Sequence, residues 1–345
     1  MLSADRQSGA RRVERIGVVG GGAWGTALAV VAARAGRKPL LWAREAEVVD
    51  ALNRRGENPL FLPMVKLDPA PRATGDLSAV AGSDLLLLSV PAQHLRSVAT
   101  SLSAQVKSGT PVVICAKGIE ERTGALLSEV VAEALPQAPV TLLSGPTFAA
   151  EVAAGLPTAI TLAASDAALG QRLVQSLGSR AFRPYYTDDV AGAQIGGAIK
   201  NVIAIACGIV MGRKLGDNAR AALITRGLAE MARLAHAKGG RAETLMGLSG
   251  LGDLTLTCTS LQSRNHSLGV ALGEGKRLAD ILAARRSIAE GVTSAAAAAG
   301  LAQRLGIEMP IVAAVDAILH RGAAIDEAIE ALLSRPFRSE TRAAP

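Results

Sequence analysis

Residues 18–29 read Val-Val-Gly-Gly-Gly-Ala-Trp-Gly-Thr-Ala-Leu-Ala, and this stretch decides the fold of the first half of the chain. Gly20, Gly22 and Gly25 have the spacing Gly-x-Gly-x-x-Gly, between an apolar run and an Ala-rich helical pattern. Gly20 allows a tight turn, Gly22 lets the backbone approach a pyrophosphate, and Gly25 lets the helix pack closely against the strand. The N–H groups at the start of such a helix attract phosphate. The stretch therefore predicts a dinucleotide-binding turn.

Short apolar runs alternate with Ala-rich helical patterns through the rest of the first half. The runs are nearly continuous Val, Ile and Leu, which is typical of strands buried on both faces. The predicted strands are residues 15–19, 39–42, 84–90, 111–116, 140–143 and 158–162. Strands separated by helices indicate βαβ units. We expect an α/β fold with an N-terminal, Rossmann-like, doubly wound parallel sheet.

From about residue 190 the pattern changes to long Ala-rich stretches interrupted by Gly and Pro, which predicts a C-terminal all-helical domain. The predicted helices are residues 191–211, 218–237, 263–272, 278–284, 293–305 and 311–320. We expect a disordered leader over residues 1–12, a nucleotide-binding domain over 13–189, a helical substrate and catalytic domain over 190–335, and a tail over 336–345.

Composition limits the classes of function. The chain has 345 residues, of which 49% are hydrophobic and 19% charged, so it can bury a large core and global disorder is excluded. Its net charge of +7 suits an anionic ligand and also nucleic acid. Aromatic residues make up only 2%, too few for a platform on which bases stack. We therefore expect a small-molecule substrate and no nucleic-acid partner.

The chain also lacks the signals of disulfide, metal and membrane proteins. Three widely spaced cysteines without a Cys-x-x-Cys pair, and four histidines without paired spacing, predict neither a disulfide scaffold nor a metal site. Residues 202–212 are too few to span a bilayer, and residues 1–12 lack the apolar core of a secretory signal. We expect a cytoplasmic protein without stable membrane insertion. The sequence leaves a homodimer open.

The end of the second predicted strand bears on the choice of cofactor. NAD-selective sites place Asp or Glu there, roughly 20 residues after the glycine motif. This chain has Arg44, followed by Glu45. A guanidinium suits the 2′-phosphate of NADP through charge-assisted hydrogen bonds. The sequence favours NADP with tolerance of NAD, and the alternative is that Arg44 covers the adenine or is solvated in a loop.

Two further loops follow predicted strands, at the edge where parallel sheets bind ligands. Lys117, in Ala-Lys-Gly-Ile-Glu, could reach an anionic substrate. Gly145 and Thr147, in Ser-Gly-Pro-Thr-Phe-Ala, can offer an N–H group and a hydroxyl. The alternatives are a solvated lysine and an ordinary turn.

Lys200 stands within an apolar helical pattern, where burial of an ammonium is costly. Desolvation lowers the pKa of a lysine, so Lys200 is a candidate acid–base group. Asp253, in Gly-Leu-Gly-Asp-Leu-Thr, could accept a hydrogen bond from Lys200 and orient it. The alternative is a structural lysine that pairs or extends to solvent.

A third candidate segment is Ser263-Arg264-Asn265, which predicts a helix cap followed by the first helical residues. It presents N–H groups, a guanidinium and an amide to an anion. A simple capped helix is the alternative.

Taken together, these segments resemble the bacterial-type NAD(P)-dependent glycerol-3-phosphate dehydrogenases. The matching stretches lie in family order within residues 16–292: GGGAWGTALA, SVPAQHL, AKGIE, SGPTFA, GAIKNVIAIACGI, GLGDLTLTCTS, SRN and EGV. The resemblance implies an oxidoreductase that reduces dihydroxyacetone phosphate to sn-glycerol 3-phosphate with NADPH or NADH and supplies phospholipid synthesis. Alternatives are a β-hydroxyacid or ketopantoate-type reductase, which the SRN segment disfavours, and a nicotinamide-sensing module without turnover.

By matched motif, the resemblance implies that Lys200 is the proton donor and acceptor, and it implies no metal. The implied substrate contacts are Lys117, Gly145, Thr147, Lys200, Asp253, Ser263, Arg264 and Asn265. The cofactor contacts are Gly20, Gly22, Ala23, Trp24, Gly25, Arg44, Lys117, Ala149, Arg264, Ile288 and Glu290. Family members often carry Ser at the position of Ala23, so a hydroxyl contact becomes a backbone contact here. Val is common at the position of Ile288.

Overall fold

The computed structural model describes residues 13–284 and 289–337. The predicted leader, Ile288 and the tail from residue 338 onward lie outside the described residues. The chain divides into two compact units. The first comprises Met1–Ala116 and Leu127–Val190, and the second comprises Lys117–Leu126 and Ala191–Pro345. Residues 117–126, which the sequence-based division placed in the first domain, therefore belong to the second unit.

The first unit contains one eight-stranded sheet. Its strands are β1 (Arg15–Val19), β2 (Lys38–Trp42), β3 (Arg72–Thr74), β4 (Leu85–Leu88), β5 (Val112–Ile114), β6 (Val140–Ser144), β7 (Thr158–Ala163) and β8 (Phe182–Thr187). The strand order is β3-β2-β1-β4-β5-β6-β7-β8. Neighbouring strands run parallel except β6 and β7, which are antiparallel. This is the doubly wound arrangement that the sequence predicted, with the order reversing at β1 and β4.

Helices cover the sheet, and the central strands are buried, as the apolar runs predicted. The helices are α1 (Ala23–Arg34), α2 (Ala46–Arg55), α3 (Ser78–Ala81), α4 (Leu95–Leu102), α5 (Leu127–Ala134), α6 (Ala149–Ala154) and α7 (Ala167–Leu177). All four residues of β4 are fully buried. Side chains on both faces of β4 pack against helices, which explains why the strand consists of four consecutive leucines.

The sequence analysis was wrong in two details of the sheet. It missed β3 and β8, and it expected only parallel strands. β3 has three residues and no apolar run, and β8 alternates buried and exposed residues and contains Pro184. Both strands lie at the sheet edges, where burial on two faces is not required and proline is tolerated.

The described part of the second unit is helical apart from the 117–126 segment. Its helices are α8 (Val190–Gly212), α9 (Asp217–Ala237), α10 (Ala242–Leu245), α11 (Asp253–Thr259), α12 (Arg264–Gly273), α13 (Leu278–Ala283), α14 (Glu290–Arg304), α15 (Pro310–His320) and α16 (Ile325–Leu333). A π-helical turn, Leu248–Gly252, leads directly into α11. The sequence patterns did not predict α10, α11 or α16.

α8 is the central helix of this unit. By length and apolarity it could span a membrane, and it is longer than residues 202–212, which the sequence analysis considered. However, 89% of its most apolar 18-residue window is buried inside the protein, as in the core helix of a globular domain. Its side chains form the core together with α9, α11, α12, α14 and α15. A core built around one helix explains why α8 is apolar on every side.

Candidate active site

The glycine motif forms the predicted turn between β1 and α1. Gly20 has a φ of +124°, in the region that favours glycine. A Cβ atom on Gly25 would lie 1.9 Å from the Gly20 carbonyl oxygen, so only glycine allows α1 to begin this close to β1. Gly22 is the N-cap of α1 and has no side chain to cap the helix. The first-turn N–H groups of α1 are therefore available to an anionic ligand.

The residues of this turn fit a dinucleotide. A Cβ on Gly22 would meet no atom within 4 Å, so there is open space beside the backbone. The Trp24 Nε1 atom is buried and has no hydrogen-bond partner within the described residues. A buried donor without a partner is rare in native proteins and is readily satisfied by a ligand. Together with Ala23, which begins α1, these residues could hold the pyrophosphate and its neighbouring groups.

Arg44 follows the carboxyl end of β2, next to β1 in the sheet. Its side chain is 77% exposed, and its Nη2 atom lies 3.0 Å from Glu45 Oε1. A surface ion pair of this kind contributes little to stability. The guanidinium can therefore exchange Glu45 for a cofactor phosphate at small cost.

Gly145, Thr147 and Ala149 follow the carboxyl end of β6. β6 runs parallel to β5, β4 and β1, so its carboxyl end lies at the same sheet edge as the glycine turn. The Thr147 hydroxyl donates to the Gly145 carbonyl oxygen at 3.2 Å, and Ala149 begins α6. The structure thus places these predicted contacts at the ligand-binding edge of the first unit.

In the second unit, one buried carboxylate joins two lysines. Lys200 Nζ donates to Asp253 Oδ1 at 2.5 Å, and Lys117 Nζ donates to Asp253 Oδ2 at 2.6 Å. The side chains of Lys200 and Asp253 are 8% and 1% exposed. The hydrogen bond predicted between Lys200 and Asp253 is therefore confirmed. Because two ammonium groups share one carboxylate, the cluster carries net positive charge and suits an anionic substrate.

The environment of Lys200 brings its pKa closer to neutral pH. Burial lowers the pKa of Lys200 from 10.5 to about 8. The nearby Asp253 carboxylate opposes this effect, and the Lys117 ammonium adds to it. A lysine with a pKa near 8 exchanges its proton close to neutral pH, which is what a general acid or base requires.

Close helix packing brings Asp253 to Lys200. A Cβ on Gly196 of α8 would lie 2.3 Å from the Ser249 carbonyl oxygen, in the π-helical turn before Asp253. Glycine at this position lets α8 contact that turn directly. The turn leads into α11, whose first residue is Asp253. Such π-helical turns are frequent at functional sites.

Thr257, which was not predicted from the sequence, also contacts Lys200. Lys200 Nζ donates to Thr257 Oγ1 at 2.9 Å, and that hydroxyl donates to the Asp253 carbonyl oxygen at 2.6 Å. Thr257 lies four residues after Asp253, so both project from the same side of α11. The spacing is visible in the sequence, but it becomes informative only once α11 is recognised as a helix.

The predicted capped helix at Ser263 is confirmed. Ser263 Oγ accepts from the His266 backbone N–H at 3.2 Å, and Arg264 is the first residue of α12. The Asn265 side chain is buried between two partners. Its Nδ2 atom donates to Asn201 Oδ1 and its Oδ1 atom accepts from the Gly291 N–H, both at 3.0 Å.

Asn265 thus connects three helices near Lys200. Asn201 directly follows Lys200 on α8; it lies in the GAIKNVIAIACGI stretch of the resemblance but was given no role there. Gly291 follows Glu290, the first residue of α14 and a predicted cofactor contact. Both ends of the Asn265 amide therefore have a protein partner, which fixes the orientation of this side chain.

Within the described residues, no three His, Cys, Asp or Glu side chains lie close enough to hold a metal ion. The three cysteines are buried free thiols. Burial raises the pKa of the Cys258 thiol well above its usual value, which makes it a poor nucleophile.

Both parts of the chain match one protein family. Residues 15–170 match the N-terminal domain of NAD-dependent glycerol-3-phosphate dehydrogenase, and residues 189–330 match its C-terminal domain. An NAD(P)+ glycerol-3-phosphate dehydrogenase from Parvibaculum lavamentivorans is 59% identical over 95% of this chain and 98% of its own length. One from Rhodospirillum rubrum is 58% identical over 95% and 94%. The crystal structure of a glycerol-3-phosphate dehydrogenase from Coxiella burnetii matches with a TM-score of 0.89 and 42% identity, over 94% of this chain and 99% of its own.

Proposed function

The chain belongs to the NAD-dependent glycerol-3-phosphate dehydrogenase family, and from this premise we propose that it reduces dihydroxyacetone phosphate to sn-glycerol 3-phosphate with NADPH or NADH. The observation that carries the proposal is the buried Lys117–Asp253–Lys200 cluster, which combines an acid–base lysine with net positive charge. The family match favours this reaction over that of a ketopantoate-type reductase.

When bound, the reduced nicotinamide supplies a hydride to the ketone carbon of the substrate. Lys200, in its ammonium form, donates a proton to the ketone oxygen as negative charge develops there. Asp253 and Thr257 orient the Lys200 ammonium, and Lys117 adds positive charge beside it. In the reverse direction, neutral Lys200 accepts the proton of the glycerol hydroxyl.

The direct test is NADPH oxidation followed spectrophotometrically with dihydroxyacetone phosphate. Ketopantoate and β-keto acids serve as competing substrates. Turnover of dihydroxyacetone phosphate alone supports the proposal. Preference for a keto acid would indicate the related reductase, and cofactor binding without any turnover would indicate a sensing module.

Arg264, with the start of α12, is proposed to bind the substrate phosphate. A charge-assisted hydrogen bond contributes roughly 1.5–3 kcal/mol, so we expect Arg264→Ala to lower kcat/KM for dihydroxyacetone phosphate by about 10–150-fold. Unphosphorylated dihydroxyacetone lacks the anion, so its slow turnover should change far less. Equal losses for both substrates would assign Arg264 to the cofactor or to the fold.

Arg44 is proposed to favour NADP. Its position after β2 and its weak surface pairing with Glu45 leave it available to a 2′-phosphate. Arg44→Asp removes a favourable contact and introduces repulsion. We expect KM for NADPH to rise by a much larger factor than KM for NADH in parallel titrations. Equal changes for both cofactors would mean that Arg44 only packs against adenine or lies in solvent.

We also propose a homodimer formed through the second unit. A groove of about 1370 Å³ is lined by aliphatic side chains of α9, α15 and α16. α16 has no buried residue, and Leu333 and Phe337 at the groove are 74% and 106% exposed. Apolar surface of this extent is typical of an interface.

A second copy offers both the apolar and the charged complement of this groove. Its wall on α9 carries the exposed Arg226, and the outer side of α16 carries Glu327 and Glu330. Sedimentation equilibrium should give twice the 35.2 kDa chain mass. Ile329→Glu, which places a charge in the groove, should yield monomers; a monomeric wild type would refute the dimer.

In the cell, we propose that the enzyme acts in the cytoplasm and that its product supplies phospholipid synthesis. The principal support for this assignment is the reaction itself, since sn-glycerol 3-phosphate is the backbone of glycerophospholipids.

A further inference from the structure

The segment that carries Lys117 is a small hairpin, residues 117–126, that belongs to the second unit. Ile119 and Leu126 pair across it in antiparallel fashion. Near its tip, the Glu120 N–H donates to the Ala125 carbonyl oxygen at 3.0 Å, and the Gly124 N–H donates to the Glu120 carbonyl oxygen at 2.7 Å. The position of Lys117 therefore depends on how this hairpin is held.

The base of the hairpin is held by burial. Ile119 and Leu126 are 0% and 2% exposed and belong to the core that surrounds α8. Lys117 itself is attached to Asp253.

At the tip, Thr123 hydrogen-bonds to Glu120 and Ala125 within the hairpin, and Arg304 at the end of α14 contacts the tip from outside the hairpin. Arg304 Nη2 donates to the Thr123 carbonyl oxygen at 3.3 Å. The same guanidinium lies against Gly124, where a Cβ atom would approach Nη2 to 1.7 Å. Gly124 also has a φ of +69°, in the region that favours glycine. Because Gly124 has no side chain, the guanidinium can lie directly on the hairpin backbone.

We propose that Arg304 is a positioning residue that fastens the tip of the 117–126 hairpin and thereby fixes the place of Lys117 beside Asp253. The inference rests on the proposed function, since it assigns Arg304 a role in that reaction. Arg304 does not contact the Lys117–Asp253–Lys200 cluster through any hydrogen bond of the described residues, and acts on it only through the hairpin.

Movement of Lys117 would have two consequences at the cluster. It would remove a positive charge from the site where a phosphate ester must bind, which lowers kcat/KM. It would also withdraw the ammonium that helps to depress the pKa of Lys200, so that this pKa would rise. Lys200 donates its proton only in the charged form, so the rate of ketone reduction would then persist to higher pH.

The first test compares Arg304→Ala, Arg304→Lys and the wild type, with Arg277→Ala as the matched control. Arg277 is an exposed arginine of the same unit, paired with Asp280, and its loss changes the net charge equally. We expect Arg304→Ala to lower kcat/KM for dihydroxyacetone phosphate about 10-fold, the lower end of the range for a hydrogen bond from a charged donor, because this contact is exposed. In this variant, the decline of the ketone-reduction rate on the basic side of the pH profile should move to higher pH. Arg304→Lys keeps a charged donor and should recover most of the loss.

A second variant disrupts the contact between Arg304 and Gly124 by changing Gly124. Gly124→Ala inserts a methyl group where the guanidinium lies, and the flexible Arg304 side chain would be displaced. Gly322→Ala is its control, because Gly322 has a similar φ of +72° and open space at its Cβ position. Displacement of Arg304 is measured by how much more kcat/KM falls in Gly124→Ala than in Gly322→Ala.

Two readouts separate positioning from a general loss of folded enzyme. In Arg304→Ala, amide hydrogen exchange across residues 119–126 should accelerate. This measurement does not depend on whether the enzyme turns over substrate. In a Lys117→Ala background, adding Arg304→Ala should change kcat/KM little, because the residue being positioned is gone. Three results would overturn the proposal: additive losses of kcat/KM in the double variant, an unchanged pH profile in Arg304→Ala, or unchanged hydrogen exchange in its hairpin. A wild type inactive on dihydroxyacetone phosphate would instead refute the proposed function, and the exchange experiment would still test the contact.

Discussion

Lys200→Ala should lower kcat for dihydroxyacetone phosphate reduction by about 10²–10⁴-fold, the usual contribution of a general acid. The amine is buried, oriented by Asp253 and Thr257, and has a pKa of about 8. Steady-state kinetics measures the loss, and fluorescence titration should show that NADPH binding persists. Asp253 keeps its contact with Lys117 in this variant, so the carboxylate is not left unpaired.

Lys200→Arg is the matched variant for Lys200→Ala. Arginine keeps a positive charge, but its very high pKa makes it a poor proton donor. If proton transfer is the role of Lys200, arginine should recover little activity. Full activity in either variant would show that the proton comes from another group.

Asp253→Asn should lower kcat/KM by about 10²–10³-fold, similar to the loss in kcat when one preorganised hydrogen-bond donor is removed from an active site. The amide keeps the size of the side chain but removes the carboxylate that the Lys117 and Lys200 ammonium groups share. The Asp253 charge raises the pKa of Lys200, so its loss should lower that pKa further. The rate of ketone reduction should then decline at lower pH than in the wild type.

The same substitution should also lower stability. Loss of one partner from a buried ion pair typically costs about 3–5 kcal/mol, and deprotonation of a lysine will relieve part of this. Urea unfolding monitored by circular dichroism measures the difference. Asp280→Asn is a suitable control, because Asp280 forms an exposed ion pair with Arg277. If Asp253→Asn and Asp280→Asn lower the free energy of unfolding equally, the buried Asp253 carboxylate does not stabilise the fold by compensating the two lysines.

The elements that the sequence predicted well are those encoded by neighbouring residues. β1, the glycine turn and the cap at Ser263 are local patterns whose geometry follows from residue type and spacing. The two edge strands were missed because neither contains an apolar run, which a strand at a sheet edge does not need. The antiparallel β7 could not be distinguished either, since an apolar run does not reveal its direction.

By itself, the sequence determined the class of fold, the glycine turn and the helical second half, and it predicted Lys200 as the acid–base group. The tertiary structure decided which groups surround Lys200. Lys117 and Asp253 are separated by 136 positions, and Asn201 and Asn265 by 64, so no local pattern relates them. It also placed the Lys117 hairpin with the second unit, because Ile119 and Leu126 find their apolar partners there. Such contacts arise only when separate helices pack, and close packing depends on the shapes of all the side chains involved.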